Sequence, residues 1–304
     1  MGAIDLKSVT PLLQYTDDDV SKVLAAYNRK ANSLDEDVNT IKEWFKTQTH
    51  IPVQPSDRQI VSFLIMNKFS IERTKEKLEL NYSIKNMIPE YYNSKVNLNT
   101  KACTLVTLPQ LTENKNRVYV FTFLDDKHFN LASVITDLIN TFELRTLADV
   151  CESEEYIIDY SNITVSTVAK MNPMDLKKLS TVLEKVYSNR VAGLHAVMLP
   201  SFAEAIFNVL KACLKPKIRE RIVFHKNYES LLKYFPAEIL PKEFGGTGKS
   251  ISDLKGEWEN YLEQNKEHIA NMHSVRVNEK LRPTSLQNHD ILGFHGNFRK
   301  LEVD

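Results

Sequence analysis

The sequence predicts an α/β protein in which an all-helical N-terminal subdomain precedes a mixed, largely parallel sheet flanked by helices. Three observations lead to this prediction. Four amphipathic helices with clear start signals follow one another in the first 95 residues. From about residue 100, β-rich runs alternate with helical segments. The 304 residues are 42% hydrophobic and 26% charged, which suffices for a sizeable core.

Each N-terminal helix is predicted from the residue that begins it. The predicted N-caps are Thr16, Ser33, Ser56 and Ser70, because a hydroxyl oxygen accepts a hydrogen bond from an unpaired first-turn N–H. Three aspartates follow Thr16, where they complement the positive end of the helix dipole. The first helix is expected to end at Lys30, where cations complement the negative end. These signals define a small helical subdomain.

The rest of the chain alternates between strand and helix patterns. Strands are short apolar runs bounded by turn residues, whereas helices carry apolar residues three and four apart. A polar, extended tail is expected from Arg276 onward. The predicted strands are 102–108, 117–124, 154–161, 191–199 and 221–225, and the predicted helices are 129–149, one that starts at Pro173, 201–214 and 250–270.

The helix over 201–214, with Ser201 as its predicted N-cap, is unusually apolar. Its polar residues fall three and four apart and form one narrow stripe. Four cations follow within seven residues, namely Lys215, Lys217, Arg219 and Arg221. One interpretation is a movable cover over an apolar site that meets an anionic surface. The other is a buried core helix followed by a solvated basic turn, and these residues alone leave both open.

Composition excludes several classes of protein. The 39 basic and 39 acidic residues cancel, which argues against a general nucleic-acid binder. Three widely spaced cysteines favour a reducing compartment. The N-terminus lacks the pattern of a signal peptide, and no run of about 18 apolar residues occurs. We therefore expect a cytoplasmic protein without a membrane span.

Catalytic motifs are weak or absent. GGTGKS at 245–250 resembles a phosphate-binding loop, but Glu243 stands where the first glycine is required. His195 lies in an apolar strand and is expected to be a core residue, and Asp125, Asp126 and His128 are expected to form a polar turn that caps the next helix. We therefore expect no enzyme, no metal site and no cofactor.

Three motifs in series resemble one known family. They are DRQIVSFLIMNKFSIERTKEKLE at 57–79, VAGLHAVMLPSFAEAIFNVLKACLKPKIRERIVFH at 191–225 and YFPAEILPKEFGG at 234–246. These segments resemble the CRAL-TRIO lipid-transfer proteins, in the same order and over nearly the whole chain. The third motif is similar to the family's LP-x-E-[FY]-G-G segment and also accounts for GGTGKS.

The resemblance implies an apolar cavity closed by a helical gate over 201–214. It implies three segments, which are a helical subdomain (1–95), a lipid-binding domain (96–275) and an extended tail (276–304). A basic cleft beside the gate is implied to bind phosphoinositides through Arg190, Lys217, Arg219 and Arg221. The implied ligand-binding residues are Phe129, Ser133, Thr136, Ile158, Val182, Leu183, Tyr187, Ala203, Ile206, Leu210 and Leu214.

The hydroxyls of Ser133, Thr136 and Tyr187 are expected to orient a ligand, although each is equally compatible with a structural hydrogen bond. The expected function is intracellular binding and transfer of a tocopherol, retinoid, carotenoid or similar isoprenoid, released at phosphoinositide-containing membranes. The alternative is a phosphoinositide or phospholipid sensor in trafficking. We expect a monomer that associates peripherally with membranes and binds no nucleic acid.

Overall fold

The computed structural model describes residues 4–92, 102–284 and 286. Four helices form the N-terminal part, and their order confirms the predicted helical subdomain. The predicted boundary at residue 95 lies outside the described residues. The helices are α1 (Asp17–Ala25), α2 (Leu34–Thr47), α3 (Asp57–Met66) and α4 (Ile71–Met87).

Two of the four predicted N-caps make the expected hydrogen bond. The Thr16 hydroxyl accepts from the N–H of Asp19 at 3.1 Å, and Ser56 accepts from the N–H of Gln59 at 3.3 Å. Ser33 and Ser70 occupy the predicted N-cap positions of α2 and α4, but neither makes the expected side-chain bond. Ser33 ends a 3₁₀ turn, where its hydroxyl donates to the carbonyl of Lys30 at 2.8 Å.

The first helix also ends earlier than predicted. It stops at Ala25 rather than Lys30. Asn28 has a φ of 56°, which lies in the left-handed region and ends the helical path. The N–H of Arg29 then donates back to the carbonyl of Leu24 at 3.0 Å, a closure that satisfies an unpaired helix-end carbonyl.

The described residues form a mixed sheet whose order in space equals the order in the chain. The first two strands pair antiparallel, and every later pair is parallel. This arrangement confirms the predicted, largely parallel sheet. The strands are β1 (Cys103–Thr107), β2 (Asn116–Phe123), β3 (Ser153–Asp159), β4 (Val191–Val197) and β5 (Ile222–His225).

Helices flank the sheet as predicted, with four differences. The segment expected as one helix over 250–270 is two helices that meet at Asn265. Two short helices, Val165–Ala169 and Pro216–Arg219, were not predicted, and a π-helical turn (Val182–Val186) extends the helix that starts at Pro173. The helices are α5 (Leu131–Ala148), α6 (Val165–Ala169), α7 (Pro173–Thr181), α8 (Glu204–Cys213), α9 (Pro216–Arg219), α10 (Ile251–Gln264) and α11 (Lys266–Ser274).

Side chains alternate between the two faces of the sheet, and each face packs in its own hydrophobic core. Val118 and Val120 of β2 pack in the core that contains Trp258 of α10. Tyr119 and Phe121, on the opposite face, belong to the core shared with the helical subdomain and α8. The first core is filled, whereas the second surrounds the cavity described below.

A buried ion pair joins the sheet to the end of α5. The guanidinium of Arg117 donates from Nε and Nη2 to the carboxylate of Asp149 at 2.9 and 2.7 Å. Arg117 also donates to the carbonyls of Leu108, Pro109 and Gln14. Neither charged side chain is exposed to solvent. This one arginine therefore holds β2, α5 and the N-terminal segment together.

The segment after α11 is anchored rather than freely extended. Glu279–Leu281 forms a 3₁₀ turn. Arg282 then donates to the Ser83 hydroxyl of α4 at 2.6 Å and forms an ion pair with Glu79 of the same helix. Residues 287–304 of the predicted tail lie outside the described residues.

His195 is a buried core residue, and it pairs with a second histidine. Its Nδ1 lies 2.9 Å from Nε2 of His225, whose Nδ1 lies 2.7 Å from the Ser230 hydroxyl. Oε2 of Glu155 approaches Nε2 of His195 at 3.5 Å, and the ring of Tyr234 packs against both histidines. The two imidazoles thus link β4 and β5 on the face opposite the cavity.

Acid will weaken this link. Burial and the neighbouring His195 lower the pKa of His225 to about 4, whereas an unfolded histidine titrates near 6.5. The neutral form therefore stabilises the fold above pH 6.5, and this contribution is lost as the pH falls towards 4. In thermal melts we expect His225→Gln to show a smaller drop in Tm between pH 7 and 4.5 than the unchanged protein. His128→Gln, at an exposed histidine, should preserve the full drop, and equal drops in all three proteins would contradict the prediction.

The part of the chain that the structure describes contains no helix that is both long and apolar enough to cross a bilayer.

Candidate functional site: a buried apolar cavity

A cavity of about 180 Å³ lies between the sheet and the helices α5, α7 and α8. Its wall consists of aliphatic, methionine and aromatic side chains from all of these elements. The polar atoms that these side chains carry are the hydroxyls of Tyr119, Tyr156 and Tyr160. A concave, mostly apolar space with a few polar groups is typical of a small-molecule site.

Six of the implied ligand-binding residues line this cavity. Phe129 precedes α5, Ile158 lies on β3 and Leu183 lies in the π-helical turn after α7. The helical segment 201–214, called the cover from here on, contributes Ile206, Leu210 and Leu214. The three cover residues are four apart in sequence, so they form one row along the inner face of α8 and its end. Whether these six contact a ligand remains a prediction.

The other five implied residues lie outside the cavity wall. Val182 and Ala203 are fully buried in the surrounding core. Thr136 donates to the carbonyls of Ala132 and Tyr91, at 3.1 and 3.2 Å. Tyr187 is buried, and its hydroxyl donates to Glu143 at 3.4 Å.

Ser133 lies in the first turn of α5, where Asn130 is the N-cap. The side-chain oxygen of Asn130 accepts from the N–H of Ser133 at 3.0 Å, and the Ser133 hydroxyl lies 3.4 Å from the same atom. The hydroxyls of Ser133, Thr136 and Tyr187 thus bond to protein groups here, which is the structural alternative stated for them above. Asn130, not the polar turn at 125–128, caps this helix.

Sequence reasoning missed the aromatic part of the wall. Tyr119, Phe121 and Phe123 of β2 alternate with residues of the other core, and all three line the cavity. Tyr156 of β3 and Tyr160 just after it contribute two further rings. The signal was present, because alternate residues of a strand share one face. Which face meets the cavity, however, depends on the strand order and on the helices packed there.

The cover helix presents apolar side chains on both sides. Phe207 is buried against Tyr160, with ring centroids 6.1 Å apart. On the outer side Phe202 and Val209 are exposed, by 45% and 37%. The predicted N-cap at Ser201 is wrong, since residues 201–203 form a 3₁₀ turn without a side-chain cap. A helix that is apolar inside and outside can exchange one apolar environment for another.

The four implied phosphoinositide-binding cations differ in their contacts. Lys217 is exposed. Arg219 donates to the carbonyls of Leu214 and Ala212, at 2.8 and 2.9 Å, and so closes the C-terminal end of α8. Arg190 forms an ion pair with Glu152 at 3.1 Å.

The fourth cation, Arg221, donates to the carbonyl of Val191 and so bridges β4 to the residue that precedes β5. Arg190 also bonds to the hydroxyl of Tyr27 in the helical subdomain. These contacts give both arginines a structural role. Among the four, Lys217 has the side chain that projects most freely into solvent.

The residues that resemble a phosphate-binding loop serve the fold instead. Lys249 forms an ion pair with Glu257 at 2.6 Å, and Ser250 accepts from the N–H of Asp253 as the N-cap of α10. Glu243 accepts from the N–H of Ile251 at 3.0 Å. Within residues 4–92, 102–284 and 286, no group of three or more metal-ligating side chains is assembled.

Comparison with known proteins supports a lipid-binding site. Residues 101–246 match the CRAL/TRIO domain, and residues 30–101 match the Pinta-like UBA domain. The chain is similar to the alpha-tocopherol transfer protein-like protein of Homo sapiens, with 27% identity over 252 residues that cover 78% of this chain and 72% of that protein. It is also similar to clavesin-2 of Rattus norvegicus, with 33% identity over 140 residues, or 43% and 42% of the two chains. The solved structure of Sfh5 covers 84% of this chain and is itself covered completely, with a TM-score of 0.49 and 13% identity.

An apolar cavity under a helical cover is typical of proteins that bind a hydrophobic molecule. The domain match makes the class specific, because residues 101–246 form a CRAL/TRIO domain. This match confirms the resemblance that the three sequence motifs indicated. Lipid binding and transfer is the class of activity that the domain and the similar proteins support.

Proposed function

We propose that the protein binds a small hydrophobic lipid in this cavity and releases it at membranes that contain phosphoinositides. Tocopherol, a retinoid, a carotenoid or a similar isoprenoid is the proposed cargo. The observation that carries the proposal is the continuous cavity wall of hydrocarbon and aromatic side chains. Removing an apolar lipid from water yields about 25 cal/mol per Å² of buried apolar surface, so such a cargo would rarely leave into water.

The size of the cavity implies that the cover moves. Sites for small molecules usually measure about 300–1,000 Å³, whereas this cavity measures about 180 Å³. The structure therefore corresponds to a contracted form, and a cargo of isoprenoid size requires outward movement of part of the wall. Helix α8 is the proposed moving part, because its inner row lines the cavity while Val209 on its outer side is exposed.

Membrane contact explains the outer surface of the cover. Phe202 and Val209 expose apolar area beside α9, which carries Lys217 and Arg219. Cations near an anionic leaflet contribute roughly 1 kcal/mol each. We therefore place the proposed docking face on α8 and α9, with the protein in the cytoplasm and associated peripherally with membranes.

The identity of the cargo is tested by organic extraction of the protein purified from its native source, followed by absorbance and mass spectrometry. A stoichiometric isoprenoid or chromophore would support a cargo carrier and identify the cargo. Extraction of phospholipid alone, with retinal and tocopherol failing to exchange in, would overturn the carrier proposal and favour a phosphoinositide or phospholipid sensor.

Substitution of Lys217 tests release at membranes. We expect Lys217→Ala to slow transfer to vesicles that contain phosphoinositide by about fivefold, which corresponds to roughly 1 kcal/mol. Transfer to vesicles of neutral lipid should not change. Lys46→Ala removes another exposed lysine, on α2 and away from the proposed docking face, and serves as the matched control. Equal rates for Lys217→Ala and the unchanged protein on both vesicle types would contradict the proposed docking face.

A further inference from the structure

A second space of about 610 Å³, the side groove, lies beside the cavity between α8 and the ends of β4 and β5. Ala196 of β4 and Phe224 of β5 are register partners, and both line the side groove. On its other side Ala196 is the register partner of Ile158 of β3, which lines the cavity. Because register partners project from the same face of a sheet, one face runs from the cavity into the side groove.

Phe207 of α8 separates the two spaces. Its side chain belongs to the wall of both and is only 4% exposed. Its ring packs against Tyr160 of the cavity wall, with centroids 6.1 Å apart, and against Phe224 of the side groove, with centroids 5.3 Å apart. Rotation of this one side chain to another staggered rotamer is therefore the smallest movement that joins the two spaces.

The side groove offers polar groups where the cavity wall is almost wholly hydrocarbon and aromatic. Glu204 and Asn208 are four apart on α8, so they lie on one face of the helix. Lys226 directly follows β5. All three line the side groove and are exposed, and within the described residues their side chains form no hydrogen bond or ion pair. The polar atoms of the cavity wall are tyrosine hydroxyls, of which that of Tyr156 already bonds to protein groups.

The backbone at the entrance to the side groove is strained. Met198 follows β4 with a φ of 52°, which lies in the left-handed region and is uncommon for a residue with a long side chain. Its N–H donates to the carbonyl of His225 at 2.8 Å, which holds this conformation. The side chain is 41% exposed and lines the side groove. Strained residues that their surroundings hold in place cluster at ligand sites.

An amphipathic cargo gains most when its two ends occupy different spaces. Its hydrocarbon chain is best buried in the cavity, which yields about 25 cal/mol per Å² of apolar surface. A polar group buried there without a hydrogen bond costs roughly 1–3 kcal/mol. In the side groove the same group stays in contact with water. It also meets the acceptor of Glu204, the donors of Lys226 and the amide of Asn208, which offers both.

We propose that the side groove binds the polar end of the cargo while the hydrocarbon chain lies in the cavity, the two ends being joined past Phe207. This inference rests on the proposed function and adds a second subsite and an orientation to it. Phe207 turns aside as the chain enters, and Glu204, Asn208 and Lys226 hold the polar group at the edge of the sheet. The cavity of about 180 Å³ then has to widen for the chain alone.

Photo-crosslinking of the full chain determines which end lies in which space. The probes are two farnesyl acetates, one with a diazirine in the acetate group and the other with a diazirine at the far end of the chain. We expect the acetate probe to label the groove residues Met198, Glu204 or Lys226. The chain-end probe should label the cavity residues Phe121 or Ile158. Mass spectrometry of proteolytic peptides locates each label, and excess farnesyl acetate should suppress both.

Two results of this experiment would contradict different claims. Labelling of cavity residues by the acetate probe, or of both spaces by either probe, would overturn the inference and leave the proposed function standing. If neither probe gave labelling that excess farnesyl acetate suppresses, the result would count against the proposed function itself.

The variant Asn208→Trp tests the side groove independently. Asn208 is exposed and lies outside the cavity wall, so an indole at this position occupies the side groove at little cost to the fold. In titration calorimetry we expect the affinity for farnesyl acetate to fall about three- to tenfold, as loss of one net hydrogen bond provides. The affinity for the hydrocarbon farnesene should be retained.

Lys211→Trp is the matched control for this variant. Lys211 lies about one turn further along α8 and lines neither space, so its replacement should change neither affinity. An unchanged affinity of Asn208→Trp for farnesyl acetate, or an equal loss for farnesyl acetate and farnesene, would show that the side groove does not hold the polar end.

Discussion

Replacing Ile158 with tryptophan will reduce binding of an apolar cargo by more than about tenfold. Ile158, near the C-terminal end of β3, lines the cavity. The larger indole would occupy much of a space of about 180 Å³, so a lipid could no longer bury its apolar surface there. Because the indole enters existing space, the cost to the fold should stay at or below the roughly 1–3 kcal/mol of an overpacked core.

Binding of farnesol or a retinoid, followed by fluorescence or calorimetry, measures this effect. The control is Val165→Trp, because Val165 is 66% exposed on α6 and lies outside the cavity wall. It introduces the same side chain and should leave affinity unchanged. If Ile158→Trp remained folded and bound the lipid as tightly as the unchanged protein, the cavity would not be the cargo site.

Replacing Arg117 with methionine will lower the free energy of unfolding by about 3–5 kcal/mol. Arg117 and Asp149 are both inaccessible to solvent, and their bidentate contact is short. The substitution leaves the carboxylate of Asp149 buried without its partner. It also removes the donors to the carbonyls of Leu108, Pro109 and Gln14.

Urea unfolding at pH 7 measures this change. Lys46→Met is the control, because it removes an exposed ion pair with Glu43, and such surface pairs contribute little. A double variant, Arg117→Met with Asp149→Leu, should recover part of the loss, because an apolar pair replaces the unpaired buried charge. Loss of less than about 1 kcal/mol in Arg117→Met would show that the pair does not hold these three segments together.

Local patterns in the sequence were enough to define the architecture. The spacing of apolar residues located the helices, together with the start signals at Thr16, Ser56 and Pro173. Short apolar runs located the five strands of the described sheet. These features are determined by neighbours within a few residues, so they can be read without knowledge of the fold. Three motifs in series then identified the family.

The predicted N-cap hydrogen bonds of Ser33 and Ser201 are absent, because the preceding segment of each helix forms a 3₁₀ turn. Ser33 is the N-cap residue of α2, but the preceding 3₁₀ turn directs its hydroxyl to the carbonyl of Lys30 instead of a first-turn N–H. The serine at 201 likewise opens a 3₁₀ turn that follows the exit of β4. In both cases the direction in which the chain enters the helix decides the cap, and that direction is set by packing.

The sequence alone therefore determined the order of the elements, the apolar character of the cover at 201–214 and the cations that follow it. Only the tertiary structure decided which side chains meet. Thr136 and Tyr187 bond to protein groups outside the cavity wall, whereas the rings of Tyr119, Phe121 and Phe123 line the cavity. The physical reason is that periodicity specifies a face of an element, while the partner of that face is fixed by strand order, register and the packing of distant helices.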